Sequence, residues 1–415
     1  MPFNKILRYL KSWNNLDLKK DYESIIFGPA AKNQIDYFEK NFCYIDPLRS
    51  NIYNLNLFIS GIFFFIYYFI KKPFIFIKLF KFWPTIFFVI SLIKRKNIKI
   101  IISLVDYNPW PRYLKKIFDN EIKIIAVQNS MRAYPVDRMK FLNNFDVYFL
   151  WNELSSKEIE SLNNSTELHK LGALKSLALI EKNNKWDFVK TYPSKAETEK
   201  KIFLISSYQS FHCEFYKKFF PNLEKINLES ELKKINTEKF NRIELQCLEY
   251  LIMCDYLNYF IKNRREYKIQ VIERCTHDDP LYNDEIQFFN TIFKNPEILK
   301  KNRDERINTV LKNKNAVYLT NTSNLGYECF AMNLKTLFFS KYLHKIHSNF
   351  YHKENIFFSI EENKEQYSQR LNHIINMDSN TFEKNKKFTN KSGLTCEPKK
   401  ENLNTFLKET NLKLI

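Results

Sequence analysis

Residues 315–340, NAVYLTNTSNLGYECFAMNLKTLFFS, hold a dense set of groups that could bind an anion and a sugar. Thr322, Ser323 and Asn324 are helix-capping residue types in a short polar turn. The N–H groups of a first helical turn lack intrahelical partners and carry partial positive charge, so such a turn can hold a phosphate without a metal. Gly326 would let a ligand or a neighbouring backbone come close. Glu328 sits one turn inside, where a carboxylate could reach sugar or ribose hydroxyls. The plainer alternative is that Ser323 only caps and Glu328 only complements the helix dipole. Neither Thr322 nor Ser323 is followed by Glu or Gln at the third position, so no capping box is written there.

The elements around this turn follow from spacing. Residues 316–319 are a short apolar run, read as a buried strand. Residues 325–332 have helical spacing, with Leu325, Cys329 and Met332 on one face, and 336–339 is a second apolar strand. Strand, turn, helix and strand in so short a span predict a βαβ unit and a parallel sheet. In open α/β sheets, ligands bind beyond the carboxyl ends of the strands. The run 98–105, IKIIISLV, is another parallel-type strand, and it leads into Asp106 and Asn108.

The stretch TSNLGYECFAMNLKTLFFS resembles the "ST-x-GYE-(A)-x-x-x-G-x-K-(V)-x-x-F" segment of bacterial surface-carbohydrate biosynthesis proteins, which resemble glycosyltransferases of the GT-B type. Ser323, Gly326, Tyr327 and Glu328 match, while Asn333 stands where a small residue, often Gly, is usual. Shorter likenesses follow in order. Residues 44–51 resemble an early "ildtR-x-x-x-n" segment, Asp106 and Asn108 occupy the polar positions of a "vviTfiDN" stretch, and Gln128-Asn129-Ser130 resembles an "iQNG" tip. Residues 169–172, HKLG, resemble a "kiGS" turn, and Glu285 and Phe288 an "E-x-x-F" segment.

The resemblance implies an α/β protein of GT-B-like architecture, with two Rossmann-like domains whose parallel sheets face a cleft. An N-terminal acceptor domain is expected over 1–185, a polar linker over 186–200, a donor nucleotide-sugar domain over 201–395 and a C-terminal helix or tail over 396–415. Donor contacts would come from Ser207, Gln209, Arg274, Thr322, Ser323, Asn324, Gly326 and Glu328. Asn108, Gln128 and Asn129 would bind acceptor hydroxyls. Asp106 would be the base, and His212 is a second catalytic candidate. Arg274 at a strand tip could neutralise a leaving diphosphate, or simply pair with Asp278 or Asp279. No D-x-D pair stands at a strand tip, so neither a metal nor a cofactor is expected, and the nucleotide-sugar is a co-substrate.

At 415 residues, 45% hydrophobic and 16% aromatic, the chain can bury two ordinary cores, which excludes a disordered protein. Only five glycines are present, with no G-x-G-x-x-G and no Walker A. The net charge of +19 points to anionic substrates or an anionic membrane surface, since no nucleic-acid motif accompanies it. The seven cysteines are scattered without C-x-x-C, as suits a reducing cytosol, and the N-terminus lacks an apolar signal core.

Residues 55–93 stand apart. LFISGIFFFIYYFI (57–70) is apolar nearly all round, ends at Lys71-Lys72-Pro73, and is followed by an aromatic run containing Lys78 and Lys81. The run falls short of the ~20 residues that span a bilayer. Helices lying in the membrane interface are expected, with a buried core helix and a true anchor as alternatives. The resulting expectation is a glycosyltransferase acting on a lipid-linked or polysaccharide precursor, peripheral at the cytoplasmic face of the plasma membrane. A polyol-phosphate transferase, a nucleotide-sugar epimerase on the same fold, and a non-catalytic membrane-surface scaffold are the alternatives.

Overall fold

Strands three to six residues long, most of them apolar, build two separate all-parallel sheets. The computed structural model describes residues 22, 24–27, 42–45, 55–80, 85–104, 110–118, 121–128, 145–151, 166–170, 172–185, 187, 191–193, 201–221, 223, 228–275, 279–293, 296–299, 303–345 and 354–391. Described residues up to Lys182 form one compact unit and those from Asn183 onward a second. Most of the expected linker, and the tail 396–415, lie outside the described residues.

The first unit contains β1 (Ser24–Phe27), β2 (Phe42–Ile45), α1 (Leu55–Lys71), α2 (Pro73–Phe80), α3 (Thr85–Lys96), β3 (Ile100–Ser103), α4 (Trp110–Ile117), β4 (Lys123–Val127), β5 (Val147–Leu150), β6 (Glu167–Lys170) and α5 (Leu174–Lys182). Its strand order is β2-β1-β3-β4-β5-β6. Ile25 pairs with Ile101 and Ile102 with Ile125, so β-branched side chains stack across the sheet. Helix α3 is sunk in this core, with Val89 and Ile90 wholly buried. Helix α1 crosses α3 at Gly61, where an added Cβ would lie 2.1 Å from the carbonyl oxygen of Phe87. Ser60 and Ser91 share a 2.7 Å hydroxyl hydrogen bond at the same crossing. The expected turn at 169–172 begins instead inside the edge strand β6, whose polar sequence ELHK suits a sheet margin. His169 there stacks on Phe149 and meets Glu167 Oε1 at 2.7 Å, a structural placement.

The second unit contains β7 (Lys201–Ile205), α6 (Ser210–Phe219), α7 (Leu228–Lys234), α8 (Arg242–Asn263), β8 (Lys268–Ile272), α9 (Tyr282–Ile292), β9 (Glu297–Leu299), α10 (Arg303–Val310), β10 (Val317–Thr320), α11 (Asn324–Ala331), β11 (Lys335–Ser340), β12 (Phe358–Ile360), α12 (Lys364–Asn376) and α13 (Ser379–Lys391). The strand order is β12-β11-β10-β7-β8-β9. Residues 229–263 resolve into two helices. Asn241 starts the second, its Oδ1 accepting from the N–H groups of Ile243 and Glu244 while Glu244 Oε2 accepts from Asn241 N. Residues 341–376 contain β12 and α12. Helix α12 starts at a second capping box, Asn363 with Gln366, ahead of the buried stripe Tyr367, Leu371 and Ile374.

Asn333 leaves α11 at φ 61°, the left-handed conformation that Gly would take. Leu334 N donates to Cys329 O at 3.1 Å and Asn333 N to Phe330 O at 3.2 Å, closing the helix. The buried Lys386 ammonium caps the same end, donating to Phe330 O at 2.7 Å and to Asn333 Oδ1. Asn in place of Gly therefore preserves the exit of α11.

Candidate functional site

The second sheet reverses its strand order between β7 and β10: the chain runs outward through β8 and β9, returns beside β7, and continues through β11 to β12. Such a switch point opens a crevice beyond the strands' carboxyl ends. The tips of β7 and β10 carry Ser206-Ser207 and Thr320-Asn321-Thr322. Ser207 Oγ donates to Asn321 Oδ1 at 2.8 Å, and Thr322 N donates to the same oxygen at 2.8 Å. Gln246 of α8 reaches Thr322 Oγ1 at 3.5 Å. Two segments distant in sequence are thereby locked into one floor.

Arg274, beyond β8, lies beside that floor. Its Nη1 donates to the carbonyls of Ser207 and Tyr208 at 3.2 and 3.3 Å, while the residue as a whole is exposed. Its own carbonyl accepts from Arg306 Nη2 of α10. The fully buried Glu285 of α9 fixes this tip. Glu285 Oε1 accepts from Arg274 N at 2.9 Å and from Ser206 Oγ, and Oε2 accepts from Cys275 N at 2.7 Å. Glu285 and Arg306 had no assigned role in the sequence reading. The signal for Glu285 was its place in the "E-x-x-F" likeness; for Arg306 there was none, because its partner is a backbone carbonyl.

Helix α11 begins at the edge of the floor. Its N-cap Ser323 makes no side-chain capping bond, so the plain capping role is not the one the structure shows. Ser323 N instead donates to Thr320 Oγ1 at 3.1 Å. Thr322, Ser323 and Asn324 are half-buried and Glu328 is buried within α11. Gly326 faces the strand: a Cβ on it would lie 2.3 Å from Thr320 Cγ2. Close helix–strand packing is one of the two uses expected of a glycine there.

His212 and Gln128 have structural partners. His212 is wholly buried, its Nδ1 accepts from Gln209 N at 3.1 Å, and its ring packs among Tyr208, Phe211 and Tyr250. Burial, with the Arg274 charge adding to it, pulls its pKa down to about 3. His212 and Gln209 shape the start of α6. Gln128 is likewise buried, and its Oε1 accepts from Trp151 N at 2.8 Å while its carbonyl accepts from Trp151 Nε1 at 2.7 Å. It ties the tip of β4 to that of β5. Asp106, Asn108 and Asn129 lie outside the described residues. The strand that leads to Asp106, β3, borders the reversal point of the first sheet, where Leu104 N donates to Phe27 O at 2.8 Å.

Known structures share this pair of parallel sheets. A UDP-GlcNAc 2-epimerase from Neisseria meningitidis bound to UDP-GlcNAc superposes with a TM-score of 0.51 at 11% identity, over 93% of this chain and 99% of that one. The fold is GT-B-like. An α,α-trehalose-phosphate synthase from Burkholderia xenovorans gives 0.48 at 9% identity, over 94% and 100% of the two chains. The wall teichoic acid polymerase TagF gives 0.49 at 10%, over 99% and 98%. No family model and no curated protein matches the sequence.

Proposed function

We propose that this chain is a glycosyltransferase that takes a sugar from a nucleotide-sugar and passes it to a surface polysaccharide or lipid-linked precursor. The observation that carries this reading is Arg274, whose guanidinium lies beside the Ser207–Asn321 floor at the switch point of the second sheet. A diphosphate leaving group gains negative charge as its bond to the anomeric carbon breaks. Arg274 and the positive end of the α11 helix dipole would stabilise that charge. Glu328 would hold donor hydroxyls. The acceptor oxygen would lose its proton to Asp106 as it bonds to the anomeric carbon.

Thermal unfolding with a panel of nucleotides and nucleotide-sugars tests the donor site. A ligand at about 100 times its Kd adds about 2.7 kcal/mol. One nucleotide class should raise the Tm of the wild type and not that of Arg274→Ala. No shift with any of them, for a folded protein, overturns the reading. Incubating the bound nucleotide-sugar without acceptor separates the epimerase alternative: a changed sugar configuration would establish it.

A further inference from the structure

We infer that α1 and α2 dock the protein on an anionic lipid surface and lie in its plane. Of nine exposed large hydrophobic side chains among the described residues, eight belong to these two helices. Ile59, Phe63, Ile66, Ile70, Phe74 and Ile77 follow one another at intervals of three or four residues. They form one stripe that continues through the break at Lys72. Phe63, Ile70 and Phe74 are 68, 76 and 82% exposed, far more than a packed core tolerates. The opposite stripe of α1, including Leu57, Gly61 and Phe65, is buried. Helix α1 is therefore apolar on two faces, and the unit's core occupies only one.

Spanning a bilayer would require both faces. Helix α1 has 17 residues, about 26 Å at the rise of an α-helix, and no described helix is long and apolar enough to cross a membrane. A helix held on a core by one face and apolar on the other can only lie flat.

Charge selects the occupant. From Asp46 to Asp106 the intervening sequence has nine Lys or Arg residues and not one Asp or Glu. Lys71 abuts the stripe, its Nζ 2.5 Å from Tyr67 Oη and 4.4 Å over that ring, and Lys94 and Arg95 at the end of α3 are exposed. Cations beside aromatic rings suit the headgroup region of anionic lipid. A second copy would set the same cationic rim against itself, because a two-fold interface repeats one patch on both subunits. The inference does not rest on the donor site and would hold for any activity.

Sedimentation of the full chain with vesicles tests it, using about one part phosphatidylglycerol to three of phosphatidylcholine, against phosphatidylcholine alone. The wild type should bind the anionic vesicles about ten-fold or more tightly than the neutral ones, with the difference shrinking in high salt. Phe63→Gln, Ile70→Gln and Phe74→Gln combined should weaken binding about ten-fold or more while leaving the Tm unchanged, since all three side chains face outward. No wild-type binding to anionic vesicles, or undiminished binding by the folded triple variant, overturns the inference. So does a stable solution dimer that the same substitutions dissociate, which would assign the face to a second copy.

Discussion

Ser207 Oγ donates to Asn321 Oδ1 at 2.8 Å, and that single bond crosses the point where the second sheet reverses its strand order. Ser207→Ala leaves Asn321 Oδ1 with the Thr322 N–H and removes one buried neutral hydrogen bond. A loss of about 1 kcal/mol is expected. Urea unfolding should show a lower midpoint at an unchanged m value.

Glu285 matters more, since its two oxygens serve three donors at the tips of β7 and β8. Glu285→Ala would strand the Arg274 and Cys275 amides in a buried site. The expected loss is on the order of 3 kcal/mol. Faster amide exchange at those two residues, with Arg274 no longer held beside the floor, should accompany a loss of the nucleotide-induced Tm shift.

Two buried groups give stability opposing pH dependences. Burial pushes Glu249 of α8 up to about 7 from 4.5, although the N–H groups of Lys341, Tyr342 and Leu343 and the Ser340 hydroxyl pull it down. The folded state then holds the proton that the unfolded state releases, so stability falls as pH rises from about 4.5 to 7. His212, lowered from 6.5 to about 3, does the opposite: the unfolded state binds the proton, and stability rises with pH across that window. Glu249→Gln should unmask the His212 slope between the two and gain on the order of 3 kcal/mol at pH above the Glu249 value. Equal pH profiles for variant and wild type would refute this assignment.

Gly326→Ala would drive a Cβ to 2.3 Å from Thr320 Cγ2. A loss of about 1–3 kcal/mol is expected. Thr320→Ser removes that methyl and keeps the oxygen that accepts from Ser323 N. The double variant should therefore recover part of the loss, measured as a coupling in a double-mutant cycle. At Gly61 no such relief exists, because the obstacle is the Phe87 carbonyl itself, and Gly61→Ala should be the more damaging change.

The sequence by itself determined the periodic part of this protein. Runs such as IIIS, KIIAV and VYLT are apolar without alternation, and only burial on both faces satisfies them; parallel sheets followed. The turn before α11 and the position of Arg274 at a strand tip were legible for the same local reason. What sequence could not reveal was where each polar group finds its partner. His212 and Gln128 have the chemistry of catalytic or binding residues, yet the fold closes over one and gives the other to Trp151. Glu285 and Arg306 became organisers of the Arg274 tip through backbone groups, which carry no residue identity. Strand order also lay beyond the sequence: only the return of β10 beside β7 brings Ser207 to Asn321, a partner 114 positions away. Local periodicity fixes elements because each residue's neighbours are given by the chain; pairings across the fold depend on topology, which the chain selects as a whole.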